Sequence, residues 1–398
     1  MYRGSLFAVV VVAAFFAYIN GVQLAFTLVY AAILVTLLSL LWSLLTSRRI
    51  SFLRQAPGGT QMVGEVFAQR FTIENDSFLP IPMLEVRDLA GFPGYRASRG
   101  LSLRAHEQAT WESEVRLLAR GRYSLGPTEV RLADPFGLFP RRIRLEAQGS
   151  VLVYPAIYNL PDLAFIGARA GLDSDRGGRP RDLPPSASGI REHDPADGIG
   201  RIHWISTARK GRLMSRTFDA EEGSDLLVVL DLRRGVHQGQ APESSLEYAV
   251  TMAASVAHGA LRHGRAVGLL ATDRVLTDLA PLRGDAQEQL IMEALALAQA
   301  DGQIGLGEVL ARHLPAWRNR GNVVLITSDP SGEWVEAMAA NSQPGRRGFA
   351  IYVDPQSFRR EPQTGRIPTQ WRLVLDIWQI RQGDDLSRLE PAVGRAVV

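Results

Sequence analysis

The sequence predicts a chain of three parts: an N-terminal transmembrane helical hairpin, a β-sandwich, and a C-terminal α/β domain. Three observations carry this reading. Two uncharged apolar runs open the chain, alternation of period two fills its middle, and short apolar runs alternate with helical stripes toward its end. At 398 residues the chain exceeds what one compact core usually serves, which fits several domains. The absence of cysteine excludes disulfides, thiolate metal sites and cysteine nucleophiles. The 44 basic and 41 acidic residues nearly cancel and are interspersed, so no basic stripe argues for nucleic acid as a partner.

The hairpin occupies residues 1–48. Ser5 to Ile19 is continuously apolar or small, Asn20-Gly21-Val22-Gln23 interrupts it, and Leu24 to Leu45 is apolar again. A helix rises about 1.5 Å per residue, so roughly twenty residues cross a hydrocarbon core of about 30 Å. The spans are expected at about 4–22 and 24–45. Arg3 precedes the first, Arg48, Arg49 and Arg54 follow the second, and the turn between them carries no arginine. The positive-inside rule then puts both ends, and everything after the hairpin, in the cytoplasm. A cleavable signal peptide is the alternative for the first span, whose apolar core is short. Tyr18 and Trp42, near the span ends, suit an interfacial aromatic belt.

Residues 51–155 read as the sandwich. Trp111, Ser113, Val115 and Leu117 alternate with Glu112, Glu114 and Arg116; Leu84 and Val86 alternate with Glu85 and Arg87; Ile143 and Leu145 with Arg144 and Glu146. Half-buried antiparallel strands require this pattern. Turn clusters at Asn75-Asp76-Ser77, Gly91 to Gly94, Gly126-Pro127 and Asp134-Pro135-Phe136-Gly137 separate the runs.

A linker and motif segment, 156–224, leads to the α/β domain at 225–391. Leu226 to Leu230 reads as a parallel strand covered on both faces, followed by a helix whose stripe runs from Leu246 to Leu261. Further strands are expected at Ala266–Ala271, Val323–Ile326, Phe349–Val353 and Leu373–Ile380, and helices near 285–300, 307–317 and 333–340, as in a doubly wound sheet. Four strands lead to aspartates: Asp231, Asp273, Asp329 and Asp354. Carboxylates at strand ends can hold a divalent cation, or can simply cap turns.

The segment from Arg191 to Arg209 packs arginines, carboxylates, His193, His203 and Trp204 together with no helical or strand period, which reads as a functional loop. Its residues Arg191, Glu192, Asp197, Arg201, Ile202, His203, Trp204, Ala208 and Arg209, and the earlier run from Arg120 to Pro127 followed by Asp134 to Phe139, resemble the hallmarks of a bacterial family, domain-of-unknown-function family fifty-eight. His193 and Ala196 depart from the tyrosine and glycine usual there. The resemblance implies a C-terminal domain similar to the von Willebrand factor A fold (Rossmann-like), and association with MoxR-type AAA+ ATPases. It also implies a metal-dependent adhesion site, Asp-x-Ser-x-Ser. Here that stretch reads Asp231-Leu232-Arg233-Arg234-Gly235, with both serines absent and positive charge brought to the cation's place, so neither Mg²⁺ nor another cofactor is expected.

Other chemistry finds little support. Lys210 lacks the glycine-rich lead of a phosphate loop, His106-Glu107 lacks a second histidine, and no Gly-x-Ser-x-Gly elbow occurs. The expectation is a non-enzymatic scaffold in the bacterial cytoplasmic membrane, its partners the lipid bilayer and the ATPase. The motif segment then serves as an ion-paired clasp between domains or as a docking surface. The alternatives are a hydrolase using His193, Asp197 and His203, and a metal-dependent binder using Asp231 and Asp329.

Overall fold

The structure, a computed structural model, describes residues 23–146, 149–160, 189–192, 204–217, 225–317, 321–341, 349–361 and 367–387, with a few helical residues between 11 and 19. The chain divides into two compact units, 1–154 and 155–398.

The first unit begins with helix α1 (Gln23–Ser47), which is uncharged throughout. It is long and apolar enough to cross a membrane from Phe26 to Ser47. Of the first expected span, 4–22, only residues 11, 12, 14, 15, 18 and 19 are described, and they are helical; the rest lies outside the described residues. Only Arg48 and Arg49 separate α1 from the first of ten strands: β1 (Ile50–Gln55), β2 (Gln61–Met62), β3 (Val66–Asn75), β4 (Ile81–Asp88), β5 (Ala97–Leu103), β6 (Gln108–Arg116), β7 (Gly121–Ser124), β8 (Thr128–Ala133), β9 (Arg141–Leu145) and β10 (Ser150–Tyr154). They form sheets of order β1-β3-β6, β5-β4-β8-β9 and β2-β10-β7.

The expected alternation is present. Along β6, Val115 is buried and Trp111 and Ser113 half-buried, while Glu112, Glu114 and Arg116 are exposed. Ile73 of β3, Leu84 and Val86 of β4, and Val130 and Leu132 of β8 share one core, so the first two sheets bury facing sides against each other. Arg54, counted above among the cations that flank the membrane, is instead buried and ion-paired with Asp88. Asp88 also accepts from Tyr95 Oη at 3.0 Å. Burial pushes the Tyr95 hydroxyl up to about 12.

The second unit opens on a two-stranded ribbon, β11 (Gly189–Glu192) against β12 (Met214–Thr217), with helix α2 (Trp204–Lys210) between them in sequence. This corrects the expectation of an irregular loop across the whole motif. Elements of four and seven residues are too short to display a period. Gly211 at φ 66° ends α2, its N–H reaching the Thr207 carbonyl at 2.9 Å, a left-handed stop that suits glycine.

The body of the unit is a six-stranded sheet. Its strands are β13 (Asp225–Leu230), β16 (Val267–Ala271), β17 (Thr277–Leu282), β18 (Gly321–Thr327), β19 (Phe349–Val353) and β20 (Asp376–Ile380), with a small hairpin, β14 (Gly239–Gln240) and β15 (Glu243–Ser244), after β13. The order is β17-β16-β13-β18-β19-β20. All neighbours are parallel except β16 and β17. Strand β17 was not expected from the sequence: half-exposed and interrupted by Pro281, it is an edge strand with a weak pattern.

Helices α3 (Ser245–Arg262), α4 (Asp285–Leu297), α5 (Leu306–His313), α6 (Glu333–Asn341) and α7 (Thr369–Val374) complete the unit. Helices α5 to α7 share one core with Leu227, Val229, Leu325, Ala350 and Ile377. Successive strand residues point to opposite faces, so Leu226, Val228 and Leu230, also buried, serve the other face, against which α3 packs. The expected strand from Leu373 starts later. Residues 369–374 are helical because Trp371 is buried against Trp334, ring centroids 5.2 Å apart, and a helical turn leaves Leu373 exposed.

Candidate functional site

Parallel strands deliver their carboxyl ends to one edge of a sheet, where backbone ladders stop and polar side chains gather. Two of the four strand-end aspartates meet there. Asp231 follows β13 with its side chain fully buried, and Asp329 lies two residues beyond β18 with its side chain 9% exposed. Between them sits the guanidinium of Arg233. It donates from Nε to Asp231 Oδ1 at 2.9 Å and from Nη2 to Asp231 Oδ2 at 2.9 Å and Asp329 Oδ2 at 2.6 Å. One planar cation thus bridges two carboxylates, the fork geometry that arginine provides and lysine does not.

Hydroxyls complete the cluster. Thr327 Oγ1 donates to Asp231 Oδ2 at 2.7 Å and accepts the Asp329 N–H at 3.0 Å. Thr272 Oγ1, at the end of β16, accepts from the Leu232 N–H at 2.9 Å. Ser331 gives Asp329 both its N–H and its hydroxyl, each at 2.9 Å. Buried Trp334 ties the Asp329 carbonyl from Nε1 at 3.1 Å. Burial alone would raise the Asp329 carboxyl, but the bonds from Arg233 and Ser331 outweigh it and hold the group below the usual carboxylate range. The same carboxylates hold the Arg233 guanidinium in its charged form against the opposing effect of burial.

The backbone places Arg233 by a second device. Arg234 N–H donates to the Gly302 carbonyl at 2.9 Å and Gly302 N–H to the Leu232 carbonyl at 3.1 Å. A Cβ at Gly302 would lie 1.8 Å from the Thr272 carbonyl oxygen, so only glycine permits this bridge. His237 closes the other side: its Nε2 is 2.8 Å from the Asp231 carbonyl and its Nδ1 3.3 Å from Ser245 Oγ. A carbonyl only accepts, so Nε2 carries the proton and Nδ1 receives the serine hydroxyl.

The other two aspartates do not join. Asp273 takes the Thr277 hydroxyl at 3.2 and 3.3 Å, and Asp354 caps the turn at Pro355–Phe358 through the Gln356 N–H at 3.0 Å. Both act as turn-capping residues. Among the described residues no group of three or more His, Asp or Glu gathers as metal ligands do. Arg233 fills the space that an oxygen-liganded cation would need between Asp231 and Asp329.

Of the motif residues, Arg191 and Glu192 lie on β11, paired with Ser215 and Met214, and Trp204 starts α2. Arg209 is exposed near its end. Thr207 accepts the N–H of buried Met214 at 3.0 Å, joining helix to ribbon. His193, Asp197, Arg201, His203 and the Trp204 ring lie outside the described residues. In the first unit a cavity of about 260 Å³ is lined by Phe71, Asp88, Arg99 and Trp111. Asp88 there is engaged on both oxygens, by Arg54, the Ala90 N–H and Tyr95.

An apolar helix leading directly into a β-sheet unit, followed by a mostly parallel α/β unit whose strand-end carboxylates are closed by an arginine, defines the class of protein. Residues 189–367 match the family described as "Protein of unknown function DUF58", the family whose hallmarks the motif residues resemble. It is 23% identical over 220 residues to the "Uncharacterized protein YeaD" of Bacillus subtilis (strain 168), across 54% of this chain and 53% of that protein. The chain thus matches about half the length of this curated relative. Among solved structures, the CARDB domain of a Pyrococcus furiosus protein is 14% identical at a TM-score of 0.20, covering 26% of this chain and 91% of that one. The C-terminal domain of wzt is 9% identical at a TM-score of 0.22, covering 27% and 72%. Likeness at that level carries no argument about fold or function.

Proposed function

We propose that this chain is a non-enzymatic, membrane-anchored scaffold, held by its apolar helix in a bacterial cytoplasmic membrane with both units in the cytoplasm. In this reading the sheets of the first unit form a β-sandwich. The second unit is von Willebrand factor A-like, and its strand-end face is a metal-independent docking surface for a MoxR-type AAA+ ATPase. The sheet order, parallel throughout except for the antiparallel edge strand β17, supports the α/β assignment.

One observation carries the non-enzymatic reading: the buried strand-end carboxylates are neutralised by Arg233 rather than held ready for a metal or a proton. A carboxylate whose oxygens are occupied by a bidentate ion pair is a poor general base, and a guanidinium does not give up its proton. The family resemblance supplies the ATPase as the partner. The hydrolase reading relies on His193, Asp197 and His203 and gains no support among the described residues.

The test is co-purification of the full chain, in detergent or nanodiscs, with a MoxR-type ATPase of the same organism in ATP-bound and ADP-bound states. Stable capture in at least one state, unaffected by replacing Arg209 alone but lost on disrupting the strand-end face, is the expected result. Failure in both states refutes the partnership.

A further inference from the structure

Helix α1 does not end in solvent. Ser39, Ser43 and Thr46 are buried on it, Ser43 Oγ donates to the Phe139 carbonyl at 2.7 Å, and Trp42 Nε1 donates to the Pro80 carbonyl at 3.0 Å. Its last turns are therefore seated on two loops of the first unit, 75–80 and 134–140. Trp42, which suits an aromatic belt by sequence, is committed to one of these loops.

Both loops are rigid and both present a phenylalanine outward. In the first, Asn75 donates to the Leu79 and Arg104 carbonyls and accepts the Ser77 hydroxyl at 2.6 Å, with Asn75 and Ser77 fully buried. Phe78 projects from this frame 59% exposed. In the second, buried Asp134 accepts the N–H groups of Phe136, Leu138 and Phe139 at 3.1, 3.3 and 2.7 Å. Phe136 projects from it 64% exposed. Rigid framing of two exposed aromatics beside an apolar helix calls for an apolar counterpart.

Length identifies that counterpart. The 25 residues of α1 measure about 37 Å, and the seated part from Ser39 onward takes about 13 Å of it. Among the described residues the free part, from Gln23 to Leu38, reaches about 24 Å, against a hydrocarbon core of roughly 30 Å. The deficit closes if the loops themselves enter the boundary of the bilayer. Arg48, Arg49 and Arg141, all exposed and next to the helix end or the second loop, lie at the level of anionic headgroups in that arrangement.

We propose that Phe78 and Phe136 form a collar that inserts into the lipid interface around α1, fixing the first unit flush against the membrane rather than letting it swing on a stalk. The proposal rests on the membrane reading of α1 and adds a second, independent point of lipid contact.

The chain has no cysteine, so single-site labelling is clean. The full chain carries one environment-sensitive fluorophore at a time, on Leu34→Cys, Phe78→Cys, Phe136→Cys or Leu89→Cys, in phosphatidylcholine/phosphatidylglycerol nanodiscs. All four residues are exposed, so folding is preserved. Leu34 reports the helix, and Leu89, just past the far end of β4 from loop 75–80, is the apolar control in the same unit. Labels at 78 and 136 are expected to shift to the blue and lose most of their intensity to spin-labelled lipid, as the label at 34 does, while 89 stays unquenched. Quenching at 34 with 78 and 136 matching 89 overturns the collar and leaves the anchor standing. A blue shift at 78 and 136 without lipid quenching identifies a protein partner and also overturns it. No quenching at 34 removes the membrane reading and the collar together.

Discussion

Replacing Arg233 by alanine removes three hydrogen bonds and the guanidinium that bridges Asp231 and Asp329. The Arg233 side chain is 18% exposed and the two carboxylates at most 9%, so this pair sits close to the buried limit. Breaking a buried pair from one side costs about 3–5 kcal/mol, because a desolvated charge is left behind. The low end applies here. Asp231 keeps the Thr327 hydroxyl and Asp329 keeps both donors of Ser331, so neither carboxylate is stripped bare. A loss of about 3 kcal/mol in a unit of this size corresponds to a fall in Tm of about 6–12 °C. The assay is thermal unfolding of the full chain in detergent, followed by near-ultraviolet circular dichroism. Arg233→Lys should recover part of the loss, since it restores charge but not the fork. Adding Asp329→Asn to Arg233→Ala should recover part as well, by relieving two facing negative charges. Millimolar Mn²⁺ should stabilise Arg233→Ala and leave the native chain unchanged, because the vacated space is then lined by oxygen donors alone. A loss below about 1 kcal/mol, a value typical of surface pairs, with no relief from any of the three, would refute the reasoning.

Further outcomes follow from neighbouring features. Gly302→Ala forces a Cβ onto the Thr272 carbonyl, and overpacking of this kind costs about 1–3 kcal/mol. Faster hydrogen exchange at Leu232 to Arg234 would confirm that it acts by displacing the Arg233 loop, and unchanged exchange would contradict it. Gly211→Ala places a side chain at φ 66° and should cost about 1–2 kcal/mol, read as a drop in Tm that Gly211→Asn largely avoids. Asp134 and Asp329 both have carboxyls held below the ordinary range. Their contribution to stability is therefore complete above about pH 4 and lost as the pH falls through their lower folded values. Acid unfolding of the native chain should be steeper than that of Asp329→Asn, and stability lost chiefly near neutral pH would contradict this.

Much of the fold is legible in the residues because it rests on periodicity. Val115 and Leu117 against Glu114 and Arg116, or the continuous run Leu226 to Leu230, fix strand type through burial on one face or two. What escaped the pattern was short or half-exposed: β17 with its Pro281, the α2 turn, and the helical start of the stretch before β20. At the site, Asp231, Asp329 and the cation-bearing Arg233 could be named from the residues, since carboxylates after parallel strands gather at one edge. Thr272, Thr327, Ser331 and Gly302 could not. A hydroxyl after a strand looks the same whether it meets a carboxylate or water, and the need for glycine at 302 arises from a contact with Thr272 thirty residues away. Asp273 and Asp354 show the converse: the same residue in the same place holds a turn, and Asp354 also takes the Gln379 amide, without joining the Arg233 cluster.

Co-flotation tests the scaffold reading most directly. Liposomes carrying the full chain are layered under a density gradient with a MoxR-type ATPase of the same organism, in ATP and in ADP. The account predicts that the chain floats with the lipid, that the ATPase floats with it in at least one nucleotide state, and that a chain lacking residues 1–47 carries neither upward. An ATPase left at the bottom in both states while the chain floats would contradict the docking role, and a chain that stays at the bottom would contradict the anchor.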